Sequence, residues 1–342
     1  MKRILVTGGC GFIGSHFVRL LLAEEPDARV VNLDCLTYAG NLANLADVAG
    51  SPSYRFVRGD IRDEKTAREL VADADWIVNF AAETHVDRST KTRAGEFIET
   101  NVYGVYVLLE AMRQVNPRAR FLQVSTDEVY GDVEFPHFPN ESALLRPSSP
   151  YSAAKAGGDH IALAFHRTHE LDVVLSRCTN NYGPYQYPEK VIPVFITNAL
   201  DDQPLPLYDG GTQVRDWLRV EDHCRALLLL LRRGAKGEVY NIGANQDPEV
   251  TNRELTALIL RCLSKPDSLI QPVSGLRPGH DQRYAVDTSK IRALGWRPQL
   301  ELAQGIEKTA AWYAARRDWW EPIKSGEYRE YYQKHYGAAA SR

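Results

Sequence analysis

Two acidic side chains stand side by side in Ser125-Thr126-Asp127-Glu128-Val129-Tyr130-Gly131, and a Tyr-x-x-x-Lys follows at Tyr151 and Lys155. The residues before the acidic pair, Arg120 to Val124, alternate and are rich in β-formers, which predicts a strand. The pair therefore falls where a strand ends, and in open α/β sheets ligands bind at that end. Tyr151 opens a predicted helix over 151–168. Residues four apart share a helix face, so the Lys155 ammonium is expected near the Tyr151 phenol, lowering its pKa toward that of a useful base. Two carboxyls, a hydroxyl and a primed phenol at one strand end can move several protons. The bland alternatives are a solvated turn for the acids and an ordinary helix surface pair for Tyr151 and Lys155.

The elements that must position these groups read as a dinucleotide fold. Arg3 to Thr7 is a short strand, Gly8-Gly9-Cys10-Gly11-Phe12-Ile13-Gly14 a turn, and Ser15 to Ala23 a helix. Gly9, Gly11 and Gly14 match G-x-G-x-x-G, which lets a pyrophosphate approach the backbone at a helix N-terminus. The next strand, Arg29 to Leu33, runs into Asp34, placed as the fingerprint asks to accept a ribose 2′-hydroxyl; NAD is favoured over NADP. Strands follow at Tyr54 to Arg58 and Trp76 to Phe80, with a helix at 64–71 capped by Asp63, and helices at about 96–115 and 151–168. A strand at Asp172 to Arg177 completes the alternation, which predicts a Rossmann-type doubly wound parallel sheet over 1–178. Asp60 could contact an adenine amine; an exposed loop aspartate is the plain alternative.

Beyond Cys178, prolines break the rhythm. Short strands are expected at 205–208, 214–217 and 239–242, and helices at 221–233, 252–263, 288–294 and 302–317. This predicts a smaller C-terminal α/β lobe over 179–325 with chain crossing back to the first, then a surface tail over 326–342.

The chain has 342 residues, of which 44% are hydrophobic and 25% charged, enough for one large or two unequal domains. A net charge of −3 with both signs scattered gives no reason to expect nucleic acid or membrane partners. Five scattered cysteines without a C-x-x-C pair point to a reducing, cytoplasmic setting. The opening residues do not read as a signal peptide, and the histidines are not spaced as metal ligands, so no metal is expected.

With the glycine turn, Asp34, Ser125–Gly131 and Tyr151-Ser-Ala-Ala-Lys155 in hand, the chain resembles the extended short-chain dehydrogenase/reductases that modify sugar nucleotides. The resemblance covers nearly all of it, through Asn180-Asn-Tyr-Gly-Pro184, Val214-Arg-Asp-Trp-Leu218, Val220-Glu-Asp-His223 and Arg277-Pro-Gly-His-Asp281. The adjacent Asp127-Glu128 resembles the 4,6-dehydratase branch, with dTDP-glucose as the implied substrate. There Tyr151 and Lys155 would remove the C4 hydroxyl proton as NAD takes the hydride. Glu128 would take the C5 proton, Asp127 would protonate the leaving C6 hydroxyl, and Thr126 would bond the C4 oxygen.

The same resemblance implies cofactor contacts at Gly8, Gly11, Phe12, Ile13, Gly14, Asp34, Cys35, Leu36, Thr37, Asp60, Ile61, Ala81, Ala82, Thr84, Thr100, Tyr151, Lys155 and Asn181. Beyond the reacting groups, it implies substrate contacts at Thr84, His85, Asn180, Lys190, Val191, Pro206, Leu207, Tyr208, Arg215, Asn252, Arg277 and His280. A homodimer through the 96–115 and 151–168 helices is implied as well. Two departures stand out: Tyr208-Asp209-Gly210-Gly211 replaces the family's Tyr-Gly-Asp-Gly, and the segment from Gly131 to Pro150 is short. The rivals are a GDP-mannose 4,6-dehydratase, a UDP-glucuronate decarboxylase, a 4-epimerase, and a non-catalytic NAD-binding regulator.

Overall fold

Alternating short apolar strands and helices form about the first half of the chain, through Cys178. The computed structural model describes residues 1–91, 93–274 and 281–326. The order is β1 (Arg3–Thr7), α1 (Phe12–Glu24), β2 (Arg29–Asp34), β3 (Tyr54–Arg58), α2 (Glu64–Val71), β4 (Trp76–Asn79), α3 (Val86–Lys91) and α4 (Ala94–Ile98). A π-helical stretch, Glu99–Gly104, leads into α5 (Val105–Val115), then β5 (Arg120–Thr126), α6 (Pro150–His169) and β6 (Asp172–Cys178). The rest is β7 (Asn180–Tyr182), α7 (Val191–Leu200), β8 (Leu205–Tyr208), β9 (Val214–Arg215), β10 (Trp217–Arg219), α8 (Val220–Arg233) and β11 (Val239–Ile242). After these come β12 (Val250–Thr251), α9 (Asn252–Cys262), β13 (Ile270–Val273), α10 (Ser289–Ala293), α11 (Leu302–Ala315) and α12 (Arg317–Ser325).

The main sheet runs β3-β2-β1-β4-β5-β6-β11, and all its pairings are parallel. This is the expected doubly wound sheet. Strand order reverses between β1 and β4, which opens a crevice at their carboxyl ends. Because both faces are covered, the strand residues divide between two cores. Ile4, Val6, Leu122 and Val174 meet Phe17 and Leu21 of α1 and Leu227 and Leu230 of α8. Leu5, Phe121, Val173 and Leu175 meet Val71 of α2, Leu108 of α5 and Ala162 of α6. A third core, around Phe195, Trp217, Ile259, Tyr313 and Trp320, belongs to the C-terminal segments.

Several elements differ from the sequence expectation, each for a visible reason. Helix α7 departs from the expectation that prolines break the rhythm beyond Cys178, since it contains Pro193. That proline sits in the first turn, where no intrahelical N–H bond is needed. The single helix over 96–115 is broken by the π stretch. Asn101 lies buried there, and its amide holds both the N–H and the C=O of Glu83 at 2.9 Å. The strand over 214–217 is split at Asp216, whose carboxylate turns away to accept the Ala244 N–H at 2.8 Å. Strand β11 joins the main sheet as its edge beside β6, consistent with chain crossing back. The tail beyond Gly326 lies outside the described residues.

Helix α6, which carries Tyr151 and Lys155, is fixed at both levels. Ser149 and Ser152 form a reciprocal cap with Pro150 at the first helical position. Gly158 then lets the helix lie against the π stretch: a Cβ there would stand 2.3 Å from Asn101 O. Among the core residues Leu227 is 0% exposed. Leu227→Ala is expected to cost about 2–5 kcal/mol. A urea midpoint unchanged within error would show that α8 does not anchor the sheet.

Candidate active site

The glycine turn between β1 and α1 forms a cradle for a dinucleotide. Gly8 sits at φ +71, and a Cβ on it would come within 2.6 Å of Ala81 N, so the β1 and β4 ends touch through backbone alone. Gly11 caps α1 with no side-chain bond, and no acid lies in the first turn. Phe12, Ile13 and Gly14 thus begin a helix whose N–H groups remain available to an anion. Asp34 is buried at the end of β2, where its carboxylate accepts from Cys10 N at 2.9 Å and Leu36 N at 2.8 Å. It ties the turn to the next strand and keeps lone pairs for a ribose hydroxyl. Cys35, Leu36 and Thr37 follow on the adjoining loop.

Other expected cofactor positions fall around the same crevice, with two differences. Asp60 is engaged by Arg62, at 2.7 Å, so its carboxylate is less free for an adenine amine than the sequence suggested. The Asn181 amide also turns inward, to Thr179 O at 2.9 Å and His223 Nδ1 at 2.9 Å. Ile61 is buried. Ala81, Ala82 and Thr84 line the β4 exit, and Thr100 lies on the π stretch. Small side chains, an open helix N-terminus and a buried carboxylate fit NAD.

The acidic pair stands at the end of β5 in a one-turn 3₁₀ helix, Asp127–Tyr130. Thr126 donates to Asp127 Oδ1 at 3.1 Å and accepts from Glu128 N at 3.3 Å. Asp127 Oδ2 and Glu128 Oε2 are buried without a hydrogen-bond partner among the described residues. Such orphaned oxygens are costly and mark a place for another molecule. Burial, then the Glu128 charge, pushes the Asp127 carboxyl well above its ordinary range. Burial raises Glu128 as well, but the charges of Lys190 and Arg215 oppose the rise.

Tyr151 is pushed well above the usual phenol range by burial first and by the Glu128 charge next, with Thr126 as a hydrogen-bonding neighbour that opposes it. This differs from the sequence expectation: burial and the neighbouring acids dominate the phenol. Lys155 is itself buried, donates to Val124 O at 2.7 Å, and is pulled down by desolvation.

One cleft gathers Glu128 with His85, Asn180, Lys190, Val191, Pro206, Leu207, Tyr208, Arg215 and Asn252, which the sequence had scattered over more than a hundred residues. Arg215 is held by the carbonyls of Val214 at 2.7 Å, Gln282 at 3.2 Å and Asp281 at 2.9 Å. Those bonds fix the guanidinium without neutralising it. The Oδ1 atoms of Asn180 and Asn252 are buried without partners among the described residues. Arg277 and His280 lie outside the described residues. Asp209, Gly210 and Gly211 form a 3₁₀ turn, with both glycines at φ +70, so the altered Tyr208–Gly211 motif still turns. The short segment after Gly131 is fastened by Arg283, whose N–H meets Asp132 and whose guanidinium bonds Val133 O and His137 O.

Sequence reasoning missed Tyr284, Trp217 and Glu189 in the cleft wall. Tyr284 lies under the Arg215 guanidinium at 4.3 Å and bonds Asp281 at 2.7 Å. Nothing local in Arg283-Tyr284 signals this; only the partners do. Glu189 pairs with Arg88 at 3.0 Å beside Lys190, and that adjacency was the available hint.

The raised Asp127 value has a consequence for stability. Its native state binds a proton more tightly than the unfolded chain, so stability from this group is lost as pH rises above the ordinary carboxyl range. Asp127→Asn is therefore expected to raise the Tm relative to wild type at pH 7–8, with the gain shrinking toward pH 4. A Tm lowered equally at both pH values would contradict the buried, protonated acid.

Comparison with known proteins agrees with this geometry. A family model described as GDP-mannose 4,6 dehydratase matches residues 5–309. A dTDP-glucose 4,6-dehydratase of Streptomyces niveus is 52% identical, spanning 94% of this chain and 96% of that protein. One from Escherichia coli K12 is 45% identical over 98% of this chain and 99% of its own length. The solved dTDP-glucose 4,6-dehydratase of Streptomyces venezuelae, with NAD bound, superposes with a TM-score of 0.90 at 52% identity, covering 94% of this chain and 100% of that one. With the cradle, the acidic pair and the Tyr151–Lys155 helix in these positions, the chain belongs to the dTDP-glucose 4,6-dehydratase family of extended short-chain dehydrogenase/reductases.

Proposed function

We propose that this protein converts dTDP-glucose to dTDP-4-keto-6-deoxyglucose and water, as a hydro-lyase that keeps NAD through its cycle. The reaction oxidises C4, eliminates water across C5 and C6, and returns the hydride to C6. One observation carries the reading. Asp127 and Glu128 are adjacent, both buried, and differently surrounded, so that one carboxyl favours its proton while cations draw the other toward its anion.

Water loss needs such a division. A ketone at C4 acidifies the C5 proton, which Glu128 takes, while Asp127 protonates the departing C6 hydroxyl. Thr126 hydrogen-bonds the C4 oxygen, and Tyr151 accepts the C4 hydroxyl proton with Lys155 behind it. Oxidised NAD, held by the Gly8–Gly14 cradle and Asp34, would supply the hydride acceptor and a positive charge that favours the phenolate. Lys190 and Arg215 receive the diphosphate, with Asn180 and Asn252 turning unpaired oxygens to the nucleotide sugar.

The assembly we propose is a homodimer through α4, α5 and α6. Ile98, Tyr103 and Tyr106 are exposed along that face, at 58%, 44% and 38%. The cysteines are all free, which suits a cytoplasmic setting. Among the described residues no helix is long and apolar enough to cross a membrane.

The first test incubates purified protein with dTDP-glucose and no added reductant. A product one water lighter, with no net NADH, is expected; unchanged substrate would refute the assignment. Asp127→Asn should slow water loss more than C4 oxidation, seen as NADH accumulating during a single turnover. Arg215→Ala should raise KM at least about tenfold while NAD stays bound, the worth of one charged hydrogen bond. An unchanged KM would remove Arg215 from the diphosphate site.

A further inference from the structure

The reaction as described leaves a buried charged array beside Lys155 without a task. One helical turn after Lys155, on the same face of α6, stands Asp159, and its Oδ2 accepts from Arg177 Nε at 2.9 Å. The two side chains are 0% and 4% exposed. Arg177 Nη1 donates to the Tyr130 hydroxyl at 2.9 Å, and that hydroxyl donates to Asn241 Oδ1 at 2.8 Å. The Asn241 amide is pinned by Pro139 O at 3.1 Å and Asp287 O at 3.2 Å. Residues of α6, β6, the turn after β5 and β11 are thus linked in one buried chain that ends on this carboxylate. A buried ion pair is weak evidence for stability, because an apolar pair of equal volume often serves as well. The array therefore calls for another reason.

We infer that Asp159 is a positioning residue for catalysis: paired with Arg177 one helical turn from Lys155, its carboxylate keeps the Lys155 ammonium charged inside the fold, and Arg177 sets how much of that field Lys155 receives. The inference rests on the reading of Tyr151 and Lys155 as the pair that deprotonates the C4 hydroxyl. Lys155 Nζ is anchored by one carbonyl, Val124 O, at 2.7 Å. A neutral carbonyl alone does not hold an ammonium in a place closed to water. Desolvation pulls Lys155 toward its neutral form, and the Asp159 charge is the first counterweight to it. Burial pushes the Asp159 carboxyl up, and the Arg177 charge opposes that before Lys155 does, so the bonded guanidinium is what favours the ionised form. The titratable groups that act on Lys155 are Asp159 on its own helix and Cys178 on β6; Arg177 acts on Asp159, and Asp127 and Glu128, in the turn after β5, act on Tyr151. Of the acids among them, Asp159 is the one the elimination does not need.

The signs follow. Without the Asp159 charge Lys155 loses its proton at lower pH; without Arg177 it feels more of Asp159 and holds the proton longer. The test measures dehydration of dTDP-glucose against pH for the NAD-loaded wild type, Asp159→Asn and Arg177→Gln. The alkaline limb should move down by roughly one to three pH units in Asp159→Asn, the scale of one close charge, and up in Arg177→Gln. Asp159→Glu, which keeps the charge, should restore the limb. A purely structural role predicts rates lowered evenly at all pH values with both limbs in place, and that result overturns the inference. So does a shift of the same sign in both variants. If Asp159→Asn gives no folded protein, the upward shift in Arg177→Gln decides alone, and its absence refutes the idea. A wild type that does not dehydrate the sugar nucleotide overturns the reading of the site itself; a normal wild type with unmoved variants overturns only this inference.

Discussion

An ionised carboxyl sealed from water is expensive unless something compensates it, and this chain places two side by side at one strand end. Nearly every other feature of the site answers that constraint. At Asp127 burial and the Glu128 charge favour the protonated form, which carries less of that cost. Glu128 is relieved by Lys190 and Arg215, cations from segments that follow β6. Lys190 opens α7 and Arg215 ends β9, both in the C-terminal segments. The catalytic division of labour therefore depends on the two parts of the chain meeting at the carboxyl edge of the sheet.

Backbone bonds fix Arg215 within the C-terminal segments, and the Arg88–Glu189 ion pair is among the links between the two parts. Three carbonyls hold Arg215, from β9 and from the segment at 281–282. The same segment bonds β9 through Val214 N to Gln282 O at 2.9 Å. Asp216 then clamps the loop after β11. Since β11 belongs to the main sheet, the cation that steadies Glu128 is registered, through a few short links, on the strand system that carries Glu128. A guanidinium fixed by neutral partners keeps its charge for an anion, which a carboxylate partner would have spent.

Much of this was legible because the local signals carried physics. The glycine turn, Asp63 as a helix cap, the strand into Asp127-Glu128 and the Tyr151 helix each state a backbone requirement that a few neighbouring residues reveal. What was hidden depended on long-range packing. Pro193 reads as a breaker until its place in the first turn of α7 is known. The π stretch at Glu99–Gly104 answers to the loop that Asn101 holds, eighteen residues upstream. Tyr284 enters the cleft because Arg215 lies over it, and no pattern around residue 284 announces that. The lowered Tyr151 pKa expected from spacing also failed for a long-range reason: the sequence shows that a lysine is near, but not how completely the phenol is buried.

The remaining question is how adjacent residues come to occupy different electrostatic worlds. Along a continuing strand Asp127 and Glu128 would face opposite sides of the sheet; along a full helix they would lie about a hundred degrees apart on one surface. The chain does neither. Thr126 keeps extended geometry, with φ −137 and ψ 152, and its hydroxyl accepts the Glu128 N–H, so the strand converts at once into a single 3₁₀ turn. Asp127 is left against Thr126, near the end of β6 and the buried Asp216, where no cation reaches it as strongly as burial does. Glu128 swings into the cleft toward Lys190 and Arg215. One residue of backbone rotation thus gives two chemically similar side chains the separate surroundings that the proposed acid and base require, and the Thr126 hydroxyl that fixes the rotation is the same group proposed to meet the C4 oxygen. Moving the acids apart in sequence would lose that economy, because the turn that separates their environments also sets their distance from a single sugar ring.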